Sequence, residues 1–542
     1  MKLFNIYILY GCLLGCLSMV LGKDITFSVI SMNSKDVYVD ISGEKYKMKQ
    51  IYSGVPLYEI TVKQFPAAEK IKYHYIADNK HESFERSLRI TATKTHNELF
   101  DRKITEKYIP HFGFPTTEKW IKNNSNSILF DDTYIPTVIV WDNINVFFKT
   151  GISQVIIPRV DIILKDTVHT FTNVSTETRD LRYNNFSFKL KLSDEGIQGT
   201  KTLFFSTTET DPTLMHQLIY SDILQAIENP SARSILCRVY DNNGNGKGIY
   251  ILQEDTTSTD FIESRFLKDI NSSDESSNVG SILLASPRAD FYWSENANIT
   301  EEYKEFIIVQ YLAGNWNSYW MCLNNYVLYS NPMEKINELS NSIDTEYYYR
   351  SIKHYFLENK VLYTFGTAIN SKINEYGYTL PRRSYNTLVD RLWNVYDGDS
   401  KYRIAIIKLL EGGLTKGMFE KYLVNIVKYI FNPVTMNAKI DLLKDRLRPE
   451  MEWAAGLTPS HVGINGYRYT VRDFEEAIDI NGGKYNDWSL KLWIKVRAES
   501  VAKEFNSTWY ESPVTRENSK IIDEVDIKPI SHNDFINELN KN

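Results

Sequence analysis

DNNGNGKGIYIL, from Asp241 to Leu252, decides how the first half of this 542-residue chain folds. Asp241, Asn243, Asn245 and Gly246 stand where the first, third, fifth and sixth residues of a calcium-binding EF-hand loop stand, a motif that needs a helix on each side. The twelfth position, which must supply a bidentate carboxylate, is Leu252, and the flanks RSILCRVYD and GIYILQED are β-branched, apolar runs of strand length. A Gly- and Asn-rich turn between two strands satisfies both facts, so the spacing predicts a β-hairpin. The same Gly244-Asn245-Gly246-Lys247-Gly248 is no Walker loop, because Gly follows the Lys where Ser or Thr would bind magnesium.

Outward from the hairpin, TVIVWD, NVFFKT, SQVIIPRVDIIL and FSFKLKL also read as strands, around one clear helix from Thr213 through Ala226. Asp211-Pro212-Thr213 supplies the cap and first-turn proline for that helix. Further toward the N-terminus, ITFSVI, DVYVDI, YKMKQIY, LYEITVK and IKYHYIA alternate between Gly, Pro and Asn breaks, the pattern of an antiparallel β-sandwich. Beyond Glu301, runs such as EYKEFIIVQYLAGNW, KGMFEKYLVNIVKYIF and WSLKLWIKVRAESVAKEF carry helical apolar spacing. The layout expected is a signal peptide over 1–22, a β-sandwich module over 23–100 and a connector over 101–128. A β-rich lobe over 129–300, a helical lobe over 301–510 and a polar tail over 511–542 follow.

The leader has one Lys before a continuous apolar run that closes on Val20 and Gly22, as in a secretory signal cut near Lys23. Leu13-Leu14-Gly15-Cys16 is similar to a lipoprotein box, but apolar residues continue past the Cys. Removing the leader takes Cys12 and Cys16 and leaves Cys237 and Cys322, so at most one disulfide is expected, and a buried free thiol is at least as compatible with their apolar surroundings. Sequons at Asn123, Asn173, Asn271, Asn298 and Asn506, with a further one at Asn185, mark glycosylation sites in a secreted chain. The formal charge of −6 and the lack of a Lys/Arg stripe argue against nucleic acid as a partner. The charged tail argues against a transmembrane or glycolipid anchor. There is no HExxH, no G-x-S-x-G, no HRD and no DFG, so zinc-hydrolase, α/β-hydrolase and ordinary kinase readings lack support.

Several stretches taken together resemble the CotH family, named for a spore coat protein, and especially its fungal invasin-like branch. They are FDDTYIPTVIV at Phe130, DPTLMHQLIYSDIL at Asp211, NGNGKGIYILQED at Asn243, EFIIVQYLAGNWNSYWMCLNNY at Glu305 and GMFEKYLVNIVKYIFNPVTM at Gly417. YIADNKHESFERSL in the first module is similar too, so the resemblance spans nearly the whole mature chain in order. It implies an α+β fold in which the sandwich precedes an atypical protein-kinase-like bilobal domain, and active members are thought to transfer phosphate from ATP to Ser or Thr. Such transfer rests on positioning and on metal-assisted charge neutralisation.

The resemblance also shows where this sequence departs. A family segment like W-Y-Y-L-D-x-D-F-D-A-T-F-G corresponds to His354 through Gly366, where the three Asp positions are Glu358, Lys360 and Leu362. Magnesium wants oxygen ligands, which Lys and Leu do not offer. The Asp of H-W-D-G-Y-W is Asn317, a far poorer proton acceptor. The first Lys of K-x-S-W-K is replaced by Asn185, leaving Lys189 or Lys191 to reach a phosphate. The resemblance implies Glu254 as a retained nucleotide-side carboxylate, Glu358 as a catalytic or metal remnant, and Asn324 and Asn325 as metal helpers or loop formers. Trp316, Tyr319, Trp320 and Tyr326 form either a recognition surface or a packed cluster. Met321 through Pro332 matches a segment associated with receptor contact in the invasin-like branch, with its acidic positions now Tyr326 and Asn331.

The function expected is therefore a secreted or surface pseudokinase acting as adhesin, invasin-like or spore-wall component, its partner a surface protein or host receptor and no cofactor required. The alternative is an active Ser/Thr kinase using ATP and magnesium through Glu358. Carbohydrate stacked on the aromatic strands of the first module is a third reading.

Overall fold

The structure, a computed structural model, describes residues 22–65, 70–89, 91–103, 106–115, 127–142, 146–193, 195–267, 279–286, 301–315, 317–335, 352–367, 380–389, 404–411, 413–479 and 488–522. The leader, Trp316, Asn123, Asn271 and Asn298 lie outside these residues.

Alternating runs at the start become β1 (Lys23–Ile30), β2 (Val37–Ile41), β3 (Glu44–Lys47), β4 (Lys49–Gln50), β5 (Leu57–Phe65), β6 (Lys70–Ala77), β7 (Lys80–His81), β8 (Arg86–Arg89) and β9 (Glu98–Leu99). They make one sheet in the order β4-β5-β1-β9 and another in the order β3-β2-β6-β7, with β8 also on β6. Period-two alternation sends Ile25, Phe27 and Val29 of β1 into a core shared with Val37, Val39 and Tyr75 of the second sheet. Ile30 instead joins Leu57, Leu99, Ile139, Ile163 and Tyr240, an apolar seam against the next unit.

That unit is a closed barrel of β10 (Thr137–Val140), β11 (Ile156–Ile163), β12 (Val168–Arg179), β13 (Ser187–Lys191), β14 (Thr202–Thr207), β15 (Ser234–Asp241) and β16 (Gly246–Glu254). The order is β10-β11-β12-β13-β14-β16-β15, with β10 and β15 closing it in parallel. The hairpin read from Asp241 to Leu252 is β15–β16, and the Asp241 carboxylate shapes its turn by accepting the N–H groups of Asn243 and Asn245 at 2.9 and 2.8 Å. β15 is buried on both faces: Ile235, Cys237 and Val239 fill the barrel, while Leu236 packs outward on the helices. Cys237 is a free, buried thiol.

Two local expectations are corrected here. NVFFKT is not a strand but a helical turn at Val146–Thr150, because Asp142 accepts the N–H groups of Val146 and Phe148 as a cap. The helix expected from Thr213 begins at His216 as α1 (His216–Ala226). Asp211 does hold the entry, accepting Thr213 N–H at 2.8 Å and His216 N–H at 2.8 Å, but Leu214 sits at φ +59° between them and breaks the helical path.

The second half contributes α2 (Glu301–Ala313), α3 (Ile404–Glu411), α4 (Gly413–Tyr429), α5 (Pro433–Ala455), α6 (Val471–Asp479) and α7 (Leu490–Glu504). Their apolar stripes meet α1 and the outer face of β15 and β16 in one large core. Inserted among them is a sheet absent from the sequence reading, β17 (Ser281–Leu284), β18 (Tyr326–Lys335) and β19 (Ile352–Glu358), with β18 central. The presumed connector and tail also pair with each other: Phe112 bridges Thr515, and Gly113 N–H donates to Val514 O at 3.3 Å.

The start of α5 is set by NPVT. Asn432 is fully buried, its Oδ1 accepts from Val434 and Thr435 at 3.0 and 2.9 Å, and its Nδ2 returns to Val427 O at 2.9 Å. Because one side chain satisfies both helix ends, Asn432→Ala is expected to cost about 2 kcal/mol, at the upper end for a cap, measured as a lowered denaturant midpoint. An unchanged midpoint would contradict this role.

Candidate functional site

Along β19 the side chains alternate: Tyr355 and Leu357 face one cluster, Phe356 and Glu358 the central helical core. Phe356 stacks on Tyr326 of β18 with ring centroids 4.7 Å apart, and Tyr326 is the register partner of Glu358. This pairing carries the Glu358 carboxyl into the junction of α1, α2 and β19, where it is 6% exposed. Its Oε2 accepts from Tyr220 Oη at 2.8 Å and Gln310 Nε2 at 3.4 Å, and Oε1 accepts from Asn315 Nδ2 at 3.1 Å. All three donors are neutral. Burial pushes its pKa up to about 8 despite these hydrogen bonds, so the group is mostly a neutral acid at pH 7.

The next residues lock the chain in place. Asn359 N–H donates to Asn325 O at 2.9 Å. Lys360 is buried with its ammonium against the Asp180 carboxylate just past β12, and burial holds its pKa below the usual lysine range against the pull of that partner. Leu362 is buried. Phe365 N–H reaches Ala313 O at 2.6 Å, and Gly366, at φ +89°, lies against Trp488 so closely that a Cβ would meet its side chain at 2.7 Å. An ion needing about six oxygen ligands meets here one carboxyl already accepting three hydrogen bonds, an ammonium and an aliphatic chain. These side chains do not fit magnesium. Among the described residues no group of three or more His, Cys, Asp or Glu is placed to hold a metal.

Asn317, Asn324 and Asn325 come together, but on one another. Asn324 Nδ2 donates to Asn317 Oδ1 at 2.9 Å and Asn325 Nδ2 to Asn317 O at 2.7 Å, while Leu323 and Asn325 take positive φ. They close the loop between α2 and β18. Tyr319, Trp320 and Tyr326 are buried in the helical core. In the stretch from Met321 to Pro332, Tyr326, Val327, Tyr329, Ser330 and Asn331 are buried on the central strand of the small sheet. In the first module Phe27, Tyr73 and Tyr75 pack edge to face inside the core.

The residues implied for nucleotide contact lie apart from Glu358 in the hydrogen-bond network. Lys189 is buried and ion-paired with Asp255 at 2.5 Å, and Lys191 is exposed. Glu254 is buried between Arg233 and Arg265 at 2.7 and 2.6 Å; burial alone would raise its pKa, but the two guanidinium groups hold it below the usual carboxylate range. Of the sequons, Asn173 and Asn506 are exposed, whereas Asn185 is half-buried with its N–H on Glu209 at 2.6 Å.

The sequence reading missed Tyr220, Gln310, Asn315 and Asp180 as partners of these positions. Gln310, a lone amide inside the apolar run EFIIVQYLA, was the one visible signal, because a polar side chain on a core stripe must find a partner.

No family profile matches the chain. It is similar to proteins of Rhizopus delemar along most of its length. Three of them are invasin CotH3 (25% identical, covering 91% of this chain and 86% of that protein), invasin CotH2 (23%, 91% and 86%) and spore coat protein homolog 1 (21%, 89% and 82%).

Proposed function

We propose that this chain, which belongs to the CotH family, is a surface binding protein in which a kinase-like frame has ceased to transfer phosphate. The observation that carries the reading is the enclosure of Glu358. A carboxyl protonated at neutral pH and already accepting from Tyr220, Gln310 and Asn315 offers neither the charge nor the free lone pairs that a magnesium nucleotide requires. Lys360 supports it, since its ammonium is fixed on Asp180 at a position where the family resemblance places a metal-binding carboxylate.

The names of the relatives supply the direction of the binding role. Two are invasins and one a spore coat homolog, so the partner proposed is a protein of a host or spore surface. The largely buried stretch Tyr326 to Asn331 is a poor candidate for that contact, and the partner-facing surface belongs elsewhere on the molecule.

Two measurements test this. Incubated with ATP and magnesium or manganese, the full chain is expected to label neither itself nor a basic Ser-rich peptide above background. Metal-dependent transfer abolished by Glu358→Ala would overturn the pseudokinase reading. Antibody against the chain is expected to stain intact cells or spores, and staining that needs permeabilisation would overturn the surface role.

A further inference from the structure

The connector and the tail, paired through Phe112 and Thr515, build one wall of a cleft whose other walls are α1, the start of β15 and the middle of α5. The cleft encloses about 140 Å³, several times the ~30 Å³ share of one water molecule. Four of its lining side chains are Arg or Lys (Arg233, Lys439, Arg446, Arg516) and two are Asp (Asp132, Asp222).

The carboxylates are already engaged. Asp222 accepts from Lys439 Nζ at 2.7 Å and from Phe112 N–H at 3.0 Å, and pairs with His111 Nδ1 at 2.7 Å. Burial works against this carboxylate, but Lys439 and His111 hold its pKa far below the ordinary range. Asp132 faces the other nitrogen of His111 at 3.4 Å. Arg233 is held by Glu254, which it shares with a second arginine, Arg265.

Arg446 differs from these. It is 6% exposed, and no carboxylate lies within ion-pair distance of it among the described residues. Its Nη1 donates to the Asp132 and Lys107 carbonyls, and its Nη2 has no hydrogen-bond partner among the described residues. A buried charged donor left unmade is costly, and a guanidinium recognises a tetrahedral oxyanion better than any other side chain does. Arg516, exposed at the rim with its backbone N–H on His111 O at 3.0 Å, adds a second guanidinium.

We propose that this cleft is a binding site for a phosphate-type oxyanion, with Arg446 as its buried anchor and Arg516 as its rim contact. The ligand is free phosphate or a phosphate monoester whose organic part lies on the apolar wall made by Ile109, Ile135 and Leu443. The site is separate from Glu358 and does not depend on the pseudokinase reading.

The full chain is titrated calorimetrically with inorganic phosphate and, separately, with phenyl phosphate, at ionic strength held constant with chloride. Saturable one-site binding is expected, at least fivefold weaker in Arg516→Ala and at least tenfold weaker in Arg446→Gln, with Lys149→Ala unchanged. Tighter binding of phenyl phosphate assigns a monoester, and tighter binding of inorganic phosphate assigns the free ion; either supports the site. Absence of saturable binding by both, or equal affinity in Arg516→Ala and the parent, overturns it. Arg516 is exposed, so that variant remains decisive even where Arg446→Gln fails to fold.

Discussion

Arg238→Met is expected to lower stability by about 3–5 kcal/mol, the cost of stranding a buried charge. Arg238 stands on the outer face of β15, 1% exposed, and donates to Glu450 of α5 through Nε at 2.7 Å and Nη2 at 2.5 Å, with Nη1 on Ile135 O at 2.9 Å. This fork ties the barrel to the longest helix described. Methionine fills much of the volume but leaves Glu450 with the more distant Arg102, 3.8 Å away. Burial would raise the Glu450 pKa, but Arg238 holds it below the ordinary value, so the pair stabilises fully above about pH 4.5 and is lost as pH falls through that lowered pKa. Denaturant unfolding of parent, Arg238→Met and the double variant Arg238→Met/Glu450→Leu is the measurement. The double variant is expected to recover part of the loss, because the buried Glu450 carboxylate is no longer stranded while Arg102 loses its partner 3.8 Å away. A single variant within about 1 kcal/mol of the parent would refute the role given to the pair.

The contrast between what the residues announce and what they conceal follows the range of the interaction. The Asp241 hairpin was legible because its turn chemistry is written within five residues, and the apolar stripes of α4 and α7 because helical periodicity is local. The false strand NVFFKT has strand composition, yet a single upstream carboxylate, Asp142, turns it into a helix. β18 and β19 were unreadable for a different reason. The first contains Asn331-Pro332 at an irregular register, and each is completed only by partners tens of residues away. The connector and the tail looked like solvent-bound polar segments, and nothing local signals that Phe112 would meet Thr515 some four hundred residues along the chain. The cleft that Arg446 and Arg516 share draws its lining from segments far apart in the chain, which is why candidate ligand positions drawn from motifs did not include it.

At Glu358 the residue type was legible and its electrostatics were not, since these depend on α1, α2 and the loop at Asn315 converging on it. Below about pH 4.5 this carboxyl is protonated whether the chain is folded or unfolded. Between there and about pH 8 the unfolded chain releases the proton while the folded chain keeps it, so stability falls by about 1.4 kcal/mol per pH unit from this one group. Glu358→Gln removes the titration and keeps an acceptor for Tyr220. Its new amide donor can also serve Asn315 Oδ1, which is buried without a partner among the described residues. The variant is therefore expected to match the parent near pH 5 and to exceed it by about 2–4 kcal/mol at pH 8, read as the difference between their unfolding curves so that other titrating groups cancel. Parallel pH curves, or a variant less stable than the parent at pH 8, would show that the carboxyl is ionised in the folded chain. Added magnesium sharpens the comparison. If Glu358 were a metal-binding remnant, the ion would stabilise the parent and not the variant, whereas a neutral acid held by Tyr220, Gln310 and Asn315 leaves both curves where they were.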